Sequence, residues 1–479
     1  MVKRSKSSLL SLRQLSEGIK NGDISPLDLI EVCLDRIKKF DPILNAFISV
    51  FDEKTLYEQA QIAEKEIKQG QYHSPLHGIP FSIKDIFYAD GIRCTMGSKI
   101  FSDNISHVDA TAVKRLKRAG AILIGTNNLN EFASGITGIN YFYGSSKNPW
   151  DTSRISGGSS GGSAVAVATG MVPFSLGTDT GGSIRVPSSL CGVVGIKPTF
   201  GRVSKHNVFP LSPSLDHVGC ITRSAWDTST VMQYISGWDP LDESSTRKKV
   251  PDYTKTIENS SIKGIRIGIP RNYFLDHVSS QVESLFYECI EILESAGSVV
   301  LYDFDLHDTD HYQKTWQKIR LAETAEIHTK WLKTRAKEYS QEVRQMLVQG
   351  TKISAVEYIS AANMVRKLRK EFLSILGSKV DVLMVPTTII PAPKFDEESI
   401  VTDNTAVLHT REALLQNTIL FNCIGLPAIS IPIGLTKGKM PIAAQIIGPP
   451  LMEGTIMSMA YNYECINDSL EMFIPPILS

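Results

Sequence analysis

The sequence lacks an excess of charge of either sign. Its 479 residues include 50 lysines and arginines and 50 aspartates and glutamates, so the formal net charge at pH 7 is zero. Proteins that hold nucleic acid or an anionic membrane over a broad surface usually carry a basic excess. The composition therefore argues against direct binding to nucleic acid or to a membrane, and the basic run Arg247–Lys249 fits a solvated loop.

Cysteine is scarce and its spacing shows no pairing. The seven cysteines are scattered, their number is odd, and no two of them form a Cys-x-x-Cys motif. Disulfide frameworks and zinc sites usually show paired cysteines at close spacing. We therefore expect no disulfide framework, no zinc site and a reducing compartment, with most of the thiols buried as small apolar side chains.

Long apolar runs are missing as well. The longest, Ala164–Leu176, is too short to span a bilayer and is interrupted by Gly170 and Pro173. Three of the first six residues are basic, but the apolar stretch that a signal peptide requires does not follow them. We expect a cytoplasmic protein.

Helical and strand patterns alternate along most of the chain, which predicts an α/β architecture. Ser25 and Pro26 favour the start of a helix, because serine can cap free amide groups and proline is tolerated at the first helical position. A second helix is predicted over residues 107–118, and an almost wholly helical layer between residues 279 and 376. The strand candidates share a short apolar run, and they are residues 79–83, 121–124, 265–269, 299–304, 380–385, 428–433 and 442–447.

Two clusters rich in glycine and serine, Gly157–Ser163 and Thr180–Ser183, stand out in the first half of the chain. A flexible linker would stay polar for longer, whereas apolar residues follow the first cluster at once. A phosphate-binding loop needs Gly-Lys-Ser or Gly-Lys-Thr, and a dinucleotide-binding turn needs Gly-x-Gly-x-x-Gly after a strand. Neither cluster shows such a pattern cleanly, so a catalytic role is the better interpretation.

The second cluster follows a strand-like run that begins at Phe174 and precedes a plausible helix start. Glycines there can present bare N–H groups at close range. Amide groups that converge beside a serine form an oxyanion hole for a tetrahedral acyl intermediate, and a helix start just after Ser183 would add a positive dipole end. The pattern makes Ser183 the candidate nucleophile.

A serine nucleophile needs a base, and no histidine lies in a recognisable catalytic motif. Lys84 is the alternative, at the end of the apolar, strand-like run 79–83. An apolar site disfavours the charged form of a lysine, so its pKa falls and it can act as a base. The competing interpretation is a surface lysine at the end of a strand.

These stretches together resemble the amidase signature family. The first cluster and the stretch Gly177–Arg185, which contains the second cluster, match its defining motif nearly residue by residue. Flanking matches extend the likeness over almost the whole chain, at residues 78–85, 148–151, 191–199, 214–216 and 425–428. The resemblance implies an α/β fold with a large mixed β-sheet core covered by helices on both faces. It implies a single domain over residues 8–475, with residues 279–376 as a helical subdomain within it.

The resemblance also implies a site and an activity. The family hydrolyses carboxylic amide C–N bonds through a covalent acyl-enzyme and releases ammonia or an amine, with no metal or organic cofactor. Its Ser–cis-Ser–Lys triad corresponds to Ser183 as nucleophile, Ser159 as bridging serine on a cis peptide bond and Lys84 as base. The remaining assignments are Thr180, Gly181, Gly182 and Ser183 for the oxyanion hole, and Ser160, Asp179 and Arg185 for support.

Two activities stay open within the family. One is a stand-alone amidase acting on a small-molecule amide, for which a homodimer is common. The other is the glutaminase (A) subunit of a glutamyl-tRNA(Gln)/aspartyl-tRNA(Asn) amidotransferase, which would add B and C subunits as partners. A scaffold without activity is disfavoured because every triad residue is present.

Features of the C-terminal half favour the stand-alone amidase. The amidotransferase subunits usually carry an acidic residue about ten positions before the glycine of the Gly-Leu-Pro-Ala segment, where it holds the amino group of glutamine. Residues Ala413–Asn417 contain no acid there. Arg366 could match the carboxylate-binding arginine of those subunits, although an arginine on a helical face is more often solvated, and Ala322–His328 resembles stand-alone amidases.

Overall fold

The computed structural model of the chain describes residues 9–302, 306–403, 405–467 and 472–478. Eleven strands among these residues form one mixed sheet at the centre of the molecule. They are β1 Phe47–Val50, β2 Pro80–Lys84, β3 Ile122–Asn127, β4 Phe174–Asp179, β5 Val194–Lys197, β6 His217–Thr222, β7 Arg266–Gly268, β8 Val299–Leu301, β9 Val382–Pro386, β12 Ala428–Leu435 and β13 Pro441–Ile447. Their order across the sheet is β1-β3-β2-β4-β6-β5-β12-β13-β9-β7-β8. Two short strands, β10 Ser399–Val401 and β11 Val407–His409, form a separate antiparallel pair.

Helices surround this sheet. They are α1 Leu12–Asn21, α2 Pro26–Leu44, α3 Glu53–Lys68, α4 Thr111–Arg118, α5 Gly161–Ala168, α6 Arg185–Cys191, α7 Ala225–Ile235, α8 Tyr253–Glu258, α9 Ser280–Ser295, α10 Tyr312–Ile327, α11 Thr329–Thr334, α12 Gln341–Gly350, α13 Ala355–Ile375, α14 Thr410–Leu415, α15 Ile419–Cys423 and α16 Glu453–Asn467. No helix in the described part of the chain is long and apolar enough to cross a membrane.

Both faces of the sheet are covered, as β3 illustrates. Successive side chains of a strand point to opposite faces. Ile122 and Ile124 lie in a buried apolar cluster formed with α2, α3 and α5, whereas Leu123 lies in the largest buried cluster of the molecule. A strand buried on both sides is typical of a sheet with helical layers on each face. The predicted α/β fold class is confirmed.

The start of α2 follows the sequence pattern. The Ser25 hydroxyl accepts a hydrogen bond from the Leu27 amide, and Pro26 occupies the first helical turn. The capping residue satisfies an amide that the helix itself leaves without a partner. The predicted helix start is therefore confirmed.

The helix predicted over residues 107–118 is four residues too long at its start. The structure begins α4 at Thr111, because the preceding backbone is bound elsewhere. The Ala110 amide donates to the Tyr88 carbonyl, and the Asp109 carbonyl accepts from the Asn207 side chain. These loop contacts compete with a further helical turn, and the sequence pattern does not reveal them.

Each predicted strand corresponds to an observed strand, but the observed ends differ from the predicted ones. The predicted 299–304 strand is β8, which ends at Leu301, and residues 303–305 lie outside the described residues. The sequence pattern does not predict β1, β5 or β6 of the main sheet, or the separate pair β10 and β11. Gly219 of β6 lies so close to β5 that a Cβ atom there would overlap the Ile196 carbonyl oxygen. Such a glycine interrupts the apolar pattern of a strand while permitting close pairing.

The region between α9 and α13 is mainly helical. It includes β8, which pairs in parallel with β7 at the edge of the main sheet. Within it, α10 packs against α12 and α13, and α10 also contacts α15, which lies later in the chain. The subdomain boundaries at 279 and 376 stay a prediction, as does the single domain over 8–475, whose first residue lies outside the described part.

The seven cysteines are all free thiols. Six of them are buried, and Cys465 is exposed. The prediction that most of them are buried as small apolar side chains is therefore confirmed.

Candidate active site

Lys84 occupies the end of β2, in the interior of the protein. Its side chain is fully buried, so the alternative of a surface lysine is wrong. The ammonium nitrogen Nζ lies 2.7 Å from the Ser159 hydroxyl and 2.9 Å from the Thr178 hydroxyl. β2 and β4 are parallel neighbours, and this pairing brings the ends of both strands to one edge. Two hydroxyl groups from different elements therefore converge on one amine.

The electrostatic environment of Lys84 favours its neutral form. Burial lowers the pKa of Lys84 from 10.5 to about 7, against the opposing influence of the Asp216 and Asp179 carboxylates. Burial acts this way because a low-dielectric site solvates a charged amine poorly. At neutral pH a substantial share of the molecules has an amine that can accept a proton.

Ser159 is held in place by a closely packed backbone. The peptide bond between Gly158 and Ser159 is cis. A Cβ atom on Gly158 would overlap the Asn130 side-chain oxygen, so only glycine fits at this position. The first cluster is therefore glycine-rich because neighbouring groups approach its backbone.

Ser160 connects the two clusters. Its amide donates to the Ser183 carbonyl at 3.1 Å, and its hydroxyl donates to the Thr178 carbonyl at 3.3 Å. It stands immediately before α5, whereas Ser183 stands between β4 and α6. The two clusters, distant in sequence, thus form one site that includes Ser183, which is 5% exposed.

Asp179 organises the turn that carries Ser183. Its carboxylate accepts hydrogen bonds from the Gly182 amide at 2.8 Å, from the Ile184 amide at 3.2 Å and from the Arg185 amide at 3.3 Å. Burial by itself would raise the pKa of Asp179, but the Arg185 guanidinium holds it well below its usual range. A permanently ionised carboxylate inside the turn fixes the backbone through charge-assisted hydrogen bonds.

Arg185 is fully buried, and each nitrogen of its guanidinium donates at least one hydrogen bond. Its guanidinium donates to both Asp179 oxygens at 3.0 Å, to the Gln445 side chain at 2.9 Å, and to the Asn422 side chain at 2.7 Å. Asn422 in turn donates to the Asp179 carbonyl at 2.8 Å. A buried ion pair with this many hydrogen bonds is a rigid support for the turn.

The backbone amides of the second cluster differ in whether they already donate to an acceptor within the protein. The Gly182 amide is already a donor to Asp179, which argues against its predicted place in an oxyanion hole. The amides of Thr180, Gly181 and Ser183 have no acceptor among the described residues, and all three residues border a cavity. Thr180 is fixed by its hydroxyl, which donates to Asp216 at 2.6 Å.

The cavity at Ser183 is narrow, with a volume of about 20 Å³. Trp316 forms one wall, and its indole N–H donates to the Thr180 carbonyl at 2.9 Å. A cavity of about 330 Å³ shares the walls made by Trp316, Arg320, Arg411 and Leu415. Another, of about 320 Å³, is lined by Thr178 and other residues but not by Ser183. The narrow cavity and its larger neighbour are therefore the candidate substrate space.

Sequence reasoning missed several residues of the site. Thr178 and Asp216 lie inside the matched stretches but carried no assigned role. No sequence pattern pointed to Trp316 or Arg320 as site residues, because α10 lies far along the chain from both clusters. Arg366 is exposed and donates to Asn363, and it lines none of the cavities described here.

Comparison with known proteins places the chain in a family. The family model described as Amidase matches residues 28–457. The chain belongs to the amidase family, and its curated relatives are amidase signature proteins.

One relative and two solved structures illustrate the likeness. The A-type subunit of glutamyl-tRNA(Gln) amidotransferase from Carboxydothermus hydrogenoformans is 36% identical over 95% of this chain and 96% of its own length. The structure of the corresponding subunit from Thermotoga maritima is 34% identical, with a TM-score of 0.78, and the match covers 94% of this chain and 93% of that one. A chain from a structure described as "An unexpected vestigial protein complex reveals the evolutionary origins of an s-triazine catabolic enzyme" is 32% identical, with a TM-score of 0.90, over 95% of this chain and 98% of that one.

Proposed function

We propose that the protein hydrolyses a carboxylic amide, with Ser183 as nucleophile, Ser159 as bridging serine and Lys84 as base. The observation that most supports the proposal is the buried Lys84 amine, 2.7 Å from the Ser159 hydroxyl and with its pKa lowered to about 7. A nucleophilic serine needs a base within hydrogen-bond reach of the proton it removes, directly or through one relay group. Family membership supports chemistry at a C–N bond.

The proposed reaction moves one proton through two hydroxyl groups. Neutral Lys84 accepts the Ser159 proton while Ser159 accepts the Ser183 proton, and the Ser183 oxygen attacks the amide carbonyl. The Thr180, Gly181 and Ser183 amides stabilise the oxyanion, and loss of one such donor typically costs about 2.7–4 kcal/mol of barrier lowering. The relay returns the proton to the leaving amine, and water or another amine then releases the acyl group from Ser183.

The identity of the amide has two candidates. The names of the curated relatives support the glutaminase subunit of an amidotransferase, which would pass ammonia to B and C subunits, over the stand-alone amidase that the sequence favoured. The pocket supports the stand-alone amidase, because Leu415 lies ten positions before Gly425 and lines the cavity at Ser183 where an acid would be needed.

Ammonia release by the purified chain distinguishes these candidates. The substrates are glutamine and a panel of simple carboxamides, and Ser183→Ala is the matched inactive variant. Turnover of glutamine alone would support the amidotransferase role, whereas turnover of other amides with poor use of glutamine would support the stand-alone amidase. Equal ammonia release by the wild type and by Ser183→Ala would refute the proposed function.

A further inference from the structure

Arg320 is a buried cation with unused hydrogen-bonding capacity. Its residue is 9% exposed, and the only acceptor of its guanidinium among the described residues is the Met346 sulfur, 2.9 Å from Nη1. The Nε atom is buried and has no hydrogen-bond partner in the described part of the chain. A guanidinium has five N–H donors, and a thioether is a weak acceptor. Buried donors of this kind are normally satisfied.

The nearby charges do not neutralise Arg320. Glu342, the carboxylate that acts on Arg320, forms an ion pair with Arg411 and is therefore already engaged. Burial, with a smaller influence of the Arg411 charge, lowers the pKa of Arg320 to about 9 against the opposing influence of Glu342. Glu412 borders only the larger cavity and is exposed. An unpaired buried charge is costly, so a site that keeps one is suited to an incoming anion.

The position of Arg320 connects this charge to the candidate active site. It lies one helical turn after Trp316 on α10, and its guanidinium carbon is 4.8 Å from the centre of the Trp316 ring. Both residues line the narrow cavity that contains Ser183. Stacking on an indole restrains the guanidinium plane and leaves its edge available. A planar, restrained fork matches a carboxylate, which it can bind through two parallel hydrogen bonds.

We propose that Arg320 binds a carboxylate group of the substrate, so that the protein acts on amides that also carry a free carboxylate. This inference rests on the proposed function, because it assigns the part of the substrate that lies next to the amide attacked by Ser183. Leu415 offers no acceptor for an ammonium group at the same cavity. Monoamides of dicarboxylic acids therefore suit the pocket without the amino group that glutamine carries.

Calorimetric binding tests the subsite without requiring turnover. The probes are the monoamides of the four- to six-carbon dicarboxylic acids, each compared with the neutral alkyl amide of equal chain length, and the protein is Ser183→Ala. The Kd of the best monoamide is expected to be about 10- to 100-fold lower than that of its neutral counterpart, as expected for a charged hydrogen-bonded pair. Addition of Arg320→Gln should remove this preference and change the Kd of the neutral amide less than about threefold.

Two variants control for effects on folding. Arg344→Gln removes an exposed arginine of α12 that lines neither cavity, and it should leave binding unchanged. Arg320→Lys keeps the charge but not the planar fork, and it should retain part of the preference. Thermal melting checks that each variant is folded.

The outcomes separate this inference from the proposed function. Equal binding of acid and neutral amides, no binding of any monoamide, or an unchanged preference in Arg320→Gln would overturn the carboxylate subsite. Failure of a serine-directed phosphonate to label Ser183 in the wild type would instead overturn the proposed function.

Discussion

The pH dependence of turnover follows directly from the environment of Lys84. Since burial lowers the pKa of Lys84 to about 7, the neutral fraction at pH 6 is about one tenth and at pH 8 about nine tenths. A lysine at the ordinary value of 10.5 would be neutral in only about 0.03% of molecules at pH 7. The site therefore raises the concentration of the reactive base by about a thousandfold at neutral pH.

The assay is kcat/KM between pH 5 and pH 9 on an amide that the wild type hydrolyses. We expect a rise of about tenfold per pH unit below pH 7 and a plateau above pH 8, because protonated Lys84 cannot act as the base. Lys84→Ala removes the base, and Lys84→Arg places a permanently charged group there, so both should be inactive throughout. Wild-type activity in Lys84→Ala at neutral pH would refute the assignment, as would a profile that stays flat down to pH 5.

Three further predictions concern the same site. In unfolding measurements, the stability of the wild type should rise by about 3 kcal/mol from pH 6 to pH 9 relative to Lys84→Met. The reason is that the pKa of Lys84 is about 7 in the folded chain and 10.5 in the unfolded chain, so the unfolded chain binds more protons in that range. Parallel stability curves for the two proteins would contradict this. Ser183→Ala should abolish turnover without lowering the melting temperature, and mass spectrometry after phosphonate treatment should find the label on Ser183 and on no other serine. Asp179→Asn should lower the free energy of unfolding by about 3–5 kcal/mol, because it leaves Arg185 buried without its counter-charge. Asp381→Asn, which breaks a partly exposed ion pair with Arg266, should lower it by at most about 1 kcal/mol. Equal losses would show that the buried pair gives no special support.

The candidate site was predictable where its residues lie within continuous motifs. The glycines and serines of the second cluster indicate Ser183 because the pattern fits neither a linker nor a phosphate loop, whereas Ser159 and Ser160 came from the family resemblance. The apolar run before Lys84 made it a candidate base but left a surface lysine as the alternative, and only the fold shows the burial that lowers its pKa. The resemblance assigned roles that the pattern alone left open.

The fold was predictable in class and less so in detail. Local patterns indicated α2, α4, the helical region between residues 279 and 376 and most of the longer strands, because burial on one or two faces leaves a repeating signal. The β5 and β6 strands were not predicted, because glycines such as Gly219 interrupt the apolar pattern. The observed start of α4 lies after the predicted one, because loop contacts bind the backbone before Thr111.

The α/β class, the two glycine–serine clusters and a lysine at the end of an apolar run can be read from the amino-acid order, since each depends on neighbouring residues. The burial that suits this lysine to act as a base is a property of the folded chain. The distant side chains that enclose the clusters become known only from the folded chain. Trp316 reaches the Thr180 carbonyl across 136 residues, and Arg320 on the same helix enters the cavity at Ser183. These contacts depend on how α10 packs against the rest of the molecule. That packing depends on surfaces formed jointly by segments that are far apart in the sequence.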